Sequence, residues 1–255
     1  MDKCGWNDKK GQEMIMSVFK LVAVSNLGLC QPFCEGSGIE GYVEYLARLI
    51  SGKLTAGNRF LDNPISGGPI LENQGEEGSV TAPFIGGQWK KPDRLIVREK
   101  SMEESKYMEL FKGVWERGKS LSGSGETPDI IPHTYLSAAR QTGNGRIHLP
   151  FSLLQEYHGT GQLEGMEEIG ASIHSPEEAV IAQGLGATYL TAGHIFATGC
   201  KPGLLPRGIS FLEKVCESVS IPVYAIGGIH RDNLSLVQQT KAAGACMMSE
   251  YMCIQ

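Results

Sequence analysis

Short apolar runs alternate with amphipathic segments along most of this chain. The run FKLVAVSN, residues 19–26, is rich in Val and Leu and closes on Asn26, the pattern of a buried strand. IEGYVEYLARLI follows, with Ile39, Val43, Leu46 and Ile50 at helical spacing. After an interruption, RLIVREK (94–100) predicts a strand running into charge, and MEESKYMELFKGVWERGKS predicts a helix. PDIIPH and TYLSAARQTG give a short strand and a short helix ending at Gly143, and RIHLP is the next strand. IGASI leads into the helix SPEEAVIAQGLG, ATYLTAGHIF into ISFLEKVCESVS, and IPVYAIGGI into RDNLSLVQQTKAAG. ACMMS is the last strand.

Counted this way there are eight strand candidates, most followed by a helix. Strict alternation of strand and helix implies parallel strands joined by right-handed crossovers. Eight such units in 255 residues predict a single-domain (β/α)₈ TIM barrel, with a doubly wound open sheet as the alternative. The barrel is favoured by the strand count, and because no Gly-rich dinucleotide fingerprint follows the first strand.

Two stretches break the rhythm. Residues 52–92 are dense in Gly, Pro and Asn and read as an irregular insertion between the first helix and the second strand, a hairpin, a lid or a surface loop. Strand eight ends near Met248 with seven residues to follow, too few for a regular closing helix. Either the outer ring lacks one helix, or a second subunit covers the gap in a homodimer. The polar lead-in, residues 1–17, has neither an apolar core nor a cleavage pattern, so no secretory signal is expected.

Composition adds exclusions. Hydrophobic content of 41% and charged content of 20% are ordinary for a soluble globular protein. A net charge of -5 gives no electrostatic reason to expect nucleic acid or an anionic membrane. No apolar stretch approaches bilayer-spanning length. The seven cysteines are an odd, scattered set; Cys30 and Cys34 have a metal-like spacing, but no second pair completes a four-ligand zinc site. Free thiols in a reducing cytoplasm are the simpler reading.

Barrel active sites gather at the C-terminal ends of the strands. Here those positions hold Asn26, Arg98, Lys100, His133, Thr134, Pro150, Ser172, His174, His194, Lys201, Gly227, Gly228 and Ser249. The collection is basic and hydroxylic, which suits an anionic small molecule. The glycine pair of AIGGI lets backbone approach a ligand, or makes a tight turn; Gly228 and Ser249 fall at the two loops that commonly hold a phosphate. SPEE, residues 175–178, is a capping box with proline at the first helical position, and it leaves His174 at the strand mouth. A histidine there can give and take a proton near neutrality, or simply end a strand. Lys201 sits on the glycine-rich loop GHIFATGCKPG, whose Cys200 has no sign of activation. A serine-hydrolase reading fails for want of a G-x-S-x-G elbow.

IVREK, GASIHSPEEAV, AGHIFATGCKPGLLPRGISFL, IPVYAIGGI and CMMS, in that order, resemble the thiamine phosphate synthase/TenI superfamily from about residue 93 onward. The synthase branch couples a pyrimidine diphosphate to a thiazole phosphate with Mg²⁺, held by aspartates after strands three and four. Those places read His133-Thr134 and HLPFSLL here, and Thr or Ser cannot replace a carboxylate for that ion. The TenI branch also lacks the acids, and it shares the Leu-Pro segment, the GH-x-F loop and the histidine at 174. The resemblance therefore implies an aminothiazole tautomerase of thiamin biosynthesis needing no metal or cofactor, with His174 as acid/base. It further implies Gly227, Gly228 and Ser249 on the phosphate and Lys201 facing an anionic end of the substrate. Arg98 and Lys100 match the diphosphate positions of synthases, while His133, Ser172 and His194 complete the substrate-binding rim. His133 departs from both branches. Glu250 stands where a small residue is usual, placing a carboxylate beside the phosphate loop. A Mg²⁺-dependent synthase and a silent barrel that binds thiazole phosphate are the alternatives.

Overall fold

Leu21 and Ala23 leave the first strand on one side and Val22 and Val24 on the other, and all four are buried. A strand enclosed on both faces belongs to a parallel sheet wrapped by helices. The computed structural model describes residues 18–30, 34, 38–54, 84–85, 88–123 and 125–253. In chain order its elements are β1 (Lys20–Val24), α1 (Leu27–Cys30), α2 (Gly38–Ser51), β2 (Phe84–Ile85), β3 (Gln88–Trp89), β4 (Arg94–Val97), α3 (Glu104–Leu121), β5 (Ile130–Pro132) and α4 (Leu136–Thr142). Then come β6 (Arg146–Pro150), α5 (Phe151–Tyr157), β7 (Glu168–Ile173), α6 (Pro176–Gly184), β8 (Tyr189–Gly193), α7 (Ile209–Ser218), β9 (Val223–Ile226), α8 (Leu234–Gln238), β10 (Gly244–Met247) and α9 (Ser249–Met252).

Eight strands form one sheet in the order β5-β4-β1-β10-β9-β8-β7-β6. The registers are parallel, with Lys20 beside Gly244 across the first-to-last seam. A single bridge between His133 and His148 joins the two remaining edges. Neighbours in space are thus neighbours in sequence all the way round, which a doubly wound sheet cannot give. The fold is a (β/α)₈ barrel.

Alternation along the strands sorts the core into two layers. One set of side chains packs outward against the helices, where α3 alone buries Tyr107, Leu110, Phe111, Val114 and Trp115. Each such side chain contributes roughly 1.5–3 kcal/mol of burial. Gly113 lets α3 approach α2, since a Cβ there would lie 2.9 Å from Val43 Cγ2. The other set fills the barrel: Val22, Val24, Ile96, Ile131, Tyr189, Tyr224 and Cys246. At its N-terminal end Arg94, 5% exposed, donates to Asp129 at 3.0 Å and Glu168 at 2.7 Å, and its guanidinium lies 5.1 Å from the Tyr189 ring centroid.

α5 and the stretch after β9 differ from the sequence expectation. α5 was not anticipated after RIHLP, because only Leu154 of its seven residues is fully buried and no apolar stripe marks it. The stretch 231–244, expected as one helix, is helical only over Leu234–Gln238, with Thr240 Oγ donating to the Val237 carbonyl as the chain turns away. Of the 52–92 segment, Phe84–Ile85 and Gln88–Trp89 pair as a small antiparallel hairpin. The lead-in 1–17 and residues 55–83 lie outside the described residues.

The last described helix, α9, is a single turn. Tyr251 and Met252 of α9 are fully buried, and the Tyr45 hydroxyl of α2 donates to the Tyr251 carbonyl at 2.7 Å. No helix among the described residues is long and apolar enough to cross a membrane.

Candidate active site

The C-terminal ends of the strands surround a cavity of about 960 Å³. Arg98, Lys100, His133, Ser172, His174, His194, Lys201, Gly227, Gly228 and Ser249 all line it. Nine of them converge because each lies at, or within three residues of, the end of a barrel strand, and Lys201 joins them from the loop after β8.

His174 is held from two directions. Pro176 starts α6, and Ser175 Oγ accepts from the Glu178 amide at 3.1 Å. In a capping box the acid reaches back to the cap residue's own amide. Here Glu178 Oε2 instead accepts from the amide of His174, at 2.6 Å. The helix start therefore clamps the histidine's backbone. Its ring is fixed by Nδ1, which lies 3.0 Å from the Gly193 carbonyl oxygen. A carbonyl only accepts, so the neutral ring carries its proton on Nδ1 and keeps the Nε2 lone pair as an acceptor.

Three cations share the cavity wall. Lys100 is held below the usual lysine range, first by the Arg98 guanidinium beside it, then by burial and by Lys201. Burial likewise lowers Arg98. Cations pressed together in this way favour an anion between them.

The turn after β9 is built for close approach. Gly227 and Gly228 have φ of 99° and 65°. A Cβ on Gly228 would lie 2.3 Å from the Ala197 carbonyl oxygen, and one on Gly227 2.4 Å from His194 Cβ. The turn is pinned by Asn233, which donates to the Gly228 carbonyl at 2.8 Å and accepts from the His230 amide at 2.9 Å. Glu250, expected to crowd this turn, lies 3.2 Å from His230 Nδ1 and is not among the residues lining the cavity.

At the cavity floor lies a buried polar layer in which His148, Tyr189 and Thr191, which the strand-end positions do not include, join His133, Thr134 and Ser172. His148 Nε2 is 2.8 Å from Ser172 Oγ and its Nδ1 is 2.9 Å from the Tyr189 hydroxyl. Thr191 donates to Ser172 Oγ at 3.1 Å. His133 stacks on His148 with ring centroids 5.3 Å apart, and burial holds both imidazoles well below the usual histidine range. Thr134, at a φ of 73° that β-branched residues rarely adopt, brings its hydroxyl within 2.6 Å of His133 Nδ1. The two-residue strand period was the available signal: His148 and Thr191 precede Pro150 and Gly193 by two and share their inward face.

Magnesium would need hard carboxylate oxygens. Where the synthase branch of the resemblance has aspartates, this chain presents His133 and Thr134 after β5 and, at and after the end of β6, Pro150, Phe151 and Ser152. Glu178 is the one carboxylate lining the cavity among the described residues, and it is engaged on the His174 amide. These side chains do not fit that ion. Elsewhere, Cys30 and Cys34 sulfurs lie 3.3 Å apart, and burial raises both thiols. Cys200 is an exposed free thiol beside Met248.

The profile of the family described as thiamine monophosphate synthase, TMP-TENI, matches residues 90–251. A thiamine-phosphate synthase of Pyrococcus furiosus is 46% identical over 84 residues, which are 33% of this chain and 41% of the relative. Thiamine-phosphate synthase 2 of Streptococcus pneumoniae is 29% identical over 161 residues, 61% of this chain and 72% of that protein. The matched region thus spans less than half of the first relative's own length. Among solved structures, a thiamine phosphate pyrophosphorylase from Pyrococcus furiosus superposes with a TM-score of 0.60 at 20% identity, over 93% of this chain and 89% of that one. The superposition concerns the fold alone. The family match takes in every strand of the barrel except the first, together with those ten cavity residues, while Asn26, which also lines the cavity, lies before it. The chain belongs to the thiamine monophosphate synthase (TMP-TENI) family.

Proposed function

We propose that this protein binds a carboxylated thiazole phosphate in the barrel mouth and moves a proton on it through His174, the tautomerase reaction of thiamin biosynthesis. The observation that carries this reading is the bond from His174 Nδ1 to the Gly193 carbonyl, which leaves Nε2 as a directed proton acceptor. In the forward step Nε2 takes a carbon-bound proton from the ring, and the imidazolium returns a proton at the other end of the same conjugated system. Atoms and charge balance without a co-reactant. Gly227, Gly228 and Ser249 would take the phosphate, while Arg98, Lys100 and Lys201 would face the carboxylate.

A second reading has its own support. The relatives described above are named thiamine-phosphate synthases, and that favours joining a pyrimidine diphosphate to the thiazole phosphate. Against it stand the side chains at the ends of β5 and β6, none of them a carboxylate. Two assays on one preparation separate the readings. The tautomerase predicts conversion of the carboxythiazole phosphate tautomer to its aromatic form at a rate that chelation leaves unchanged. Thiamin phosphate formation from the two synthase substrates, abolished by chelation, would overturn it in favour of the synthase.

The phosphate assignment has a direct test in Gly228→Ala. The added Cβ would collide with the Ala197 carbonyl and sit at a φ that L-residues disfavour. Calorimetry with thiazole phosphate is expected to show affinity falling at least about tenfold, the loss of one to two charge-assisted hydrogen bonds. Unchanged affinity would place the phosphate elsewhere.

A further inference from the structure

We infer that His148 is a positioning residue: with Tyr189 it fixes the Ser172 hydroxyl as a hydrogen-bond donor to the ligand, so that the pocket selects an acceptor atom at this point. The inference rests on the reading that the ligand occupies this cavity, and it concerns which polarity the floor offers. It is independent of the reaction that follows.

The argument is a count of hydrogens. The Tyr189 hydroxyl is deep in the barrel, and among the described residues its hydrogen-bond partner is His148 Nδ1, at 2.9 Å. If Nδ1 carried the ring proton, the phenolic hydrogen would be left without an acceptor, and a buried unsatisfied donor costs about 1–3 kcal/mol. The phenol therefore donates, and the ring proton of His148 moves to Nε2. Nε2 then donates to Ser172 Oγ at 2.8 Å. Thr191, only 1% exposed, donates to the same oxygen at 3.1 Å. With two hydrogens arriving, Ser172 Oγ has its acceptor capacity filled, and its own hydrogen points to the cavity that it lines.

Thr191 Oγ1 also lies 3.4 Å from His148 Nε2, but the serine oxygen at 2.8 Å is the closer acceptor. The imidazole stays neutral, since burial and the Arg98 and Arg94 guanidiniums push it down to about 3. The phenol stays protonated, since burial raises it well above the usual tyrosine range. Space for the pair is kept by Gly170, where a Cβ would lie 2.1 Å from Tyr189 Cζ and 2.4 Å from His148 Nδ1. That requirement explains the glycine in GASIH, which is in β7 and has no turn to make. The ligand class follows: an unprotonated ring nitrogen, a sulfur or a carboxylate oxygen is matched at Ser172, and an amino group presenting its hydrogens is not.

Long-range nitrogen–proton spectra of the histidine-labelled protein test the inference without any ligand. The wild type is expected to show His148 as the Nε2–H tautomer with a hydrogen-bonded Nδ1, and Tyr189→Phe, which keeps the ring and removes the hydroxyl, to keep that tautomer while the Nδ1 resonance moves to that of an unbonded nitrogen. An Nδ1–H ring in the wild type, or an Nδ1 resonance that Tyr189→Phe leaves unmoved, would overturn the inference. With thiazole phosphate as probe, Ser172→Ala is expected to weaken binding about fivefold, the worth of one hydrogen bond. Equal affinity in Ser172→Ala would also count against it. Nε2–H in a protein that binds no thiazole phosphate would uphold the polarity and reject the ligand reading of the preceding section.

Discussion

Replacing His174 with glutamine is expected to cut tautomerase turnover by about a hundredfold or more while thiazole phosphate affinity stays within about twofold. A positioned general acid/base contributes roughly 10²–10⁴ in rate. Glutamine can still donate an amide hydrogen to the Gly193 carbonyl, so the site keeps its shape, but it has no nitrogen that can take and return a proton. The side chain is exposed at the barrel mouth, and the Glu178 clamp acts on the backbone amide, which the substitution leaves in place. Stopped-flow turnover beside calorimetric affinity checks both halves. Full activity in His174→Gln would remove the histidine from the chemistry.

The second large effect is on stability, at the opposite end of the barrel. Arg94→Met is expected to lower unfolding free energy by about 3 kcal/mol, toward the lower end of what breaking a buried ion pair costs. Arg94 is nearly buried, whereas the Asp129 and Glu168 side chains are 27% and 26% exposed, so water recovers part of the loss. Asp129 also keeps Arg146 at 2.9 Å. Lysine should restore only part of the stability, because a single ammonium cannot fork between two carboxylates as the guanidinium does. Urea titration would read the effect as a lower midpoint with an unchanged slope. Turnover should change far less than stability, since the ion cluster reaches the cavity only through Tyr189 and His148.

The contrast between these two ends bears on what the sequence could disclose. Rim residues such as Arg98, His174 and Gly228 were legible because each follows an apolar run, and the barrel rule says that such positions face one mouth. His148, Tyr189 and Thr191 were not. They sit inside strands buried on both faces, where alternation of polarity no longer separates inside from outside, and a histidine in RIHLP reads as one more strand residue. Glu178 was read as half of a helix cap, and its bond to the His174 amide depends on a one-residue slip that spacing does not encode. Concern over Glu250 arose from its place in the sequence, next to Ser249. In space its carboxylate lies 3.2 Å from His230 Nδ1 and is not among the groups lining the cavity.

One further property follows from how the barrel closes. Along β6 and β7 five residue pairs lie in register, whereas β5 and β6 share one backbone bridge, His133–His148, continued by the Thr134 amide on the His148 carbonyl, with side-chain ties from Asn144 to the Ile130 carbonyl and from Arg146 to Asp129. The weakest stitch of the cylinder therefore lies at the cavity floor, with His133 on one side of it and Ser172 one strand beyond the other. A ligand resting on both would act as a staple across that seam. Binding free energy and barrel integrity would then be drawn from the same contacts, so that occupancy itself tightens the hoop.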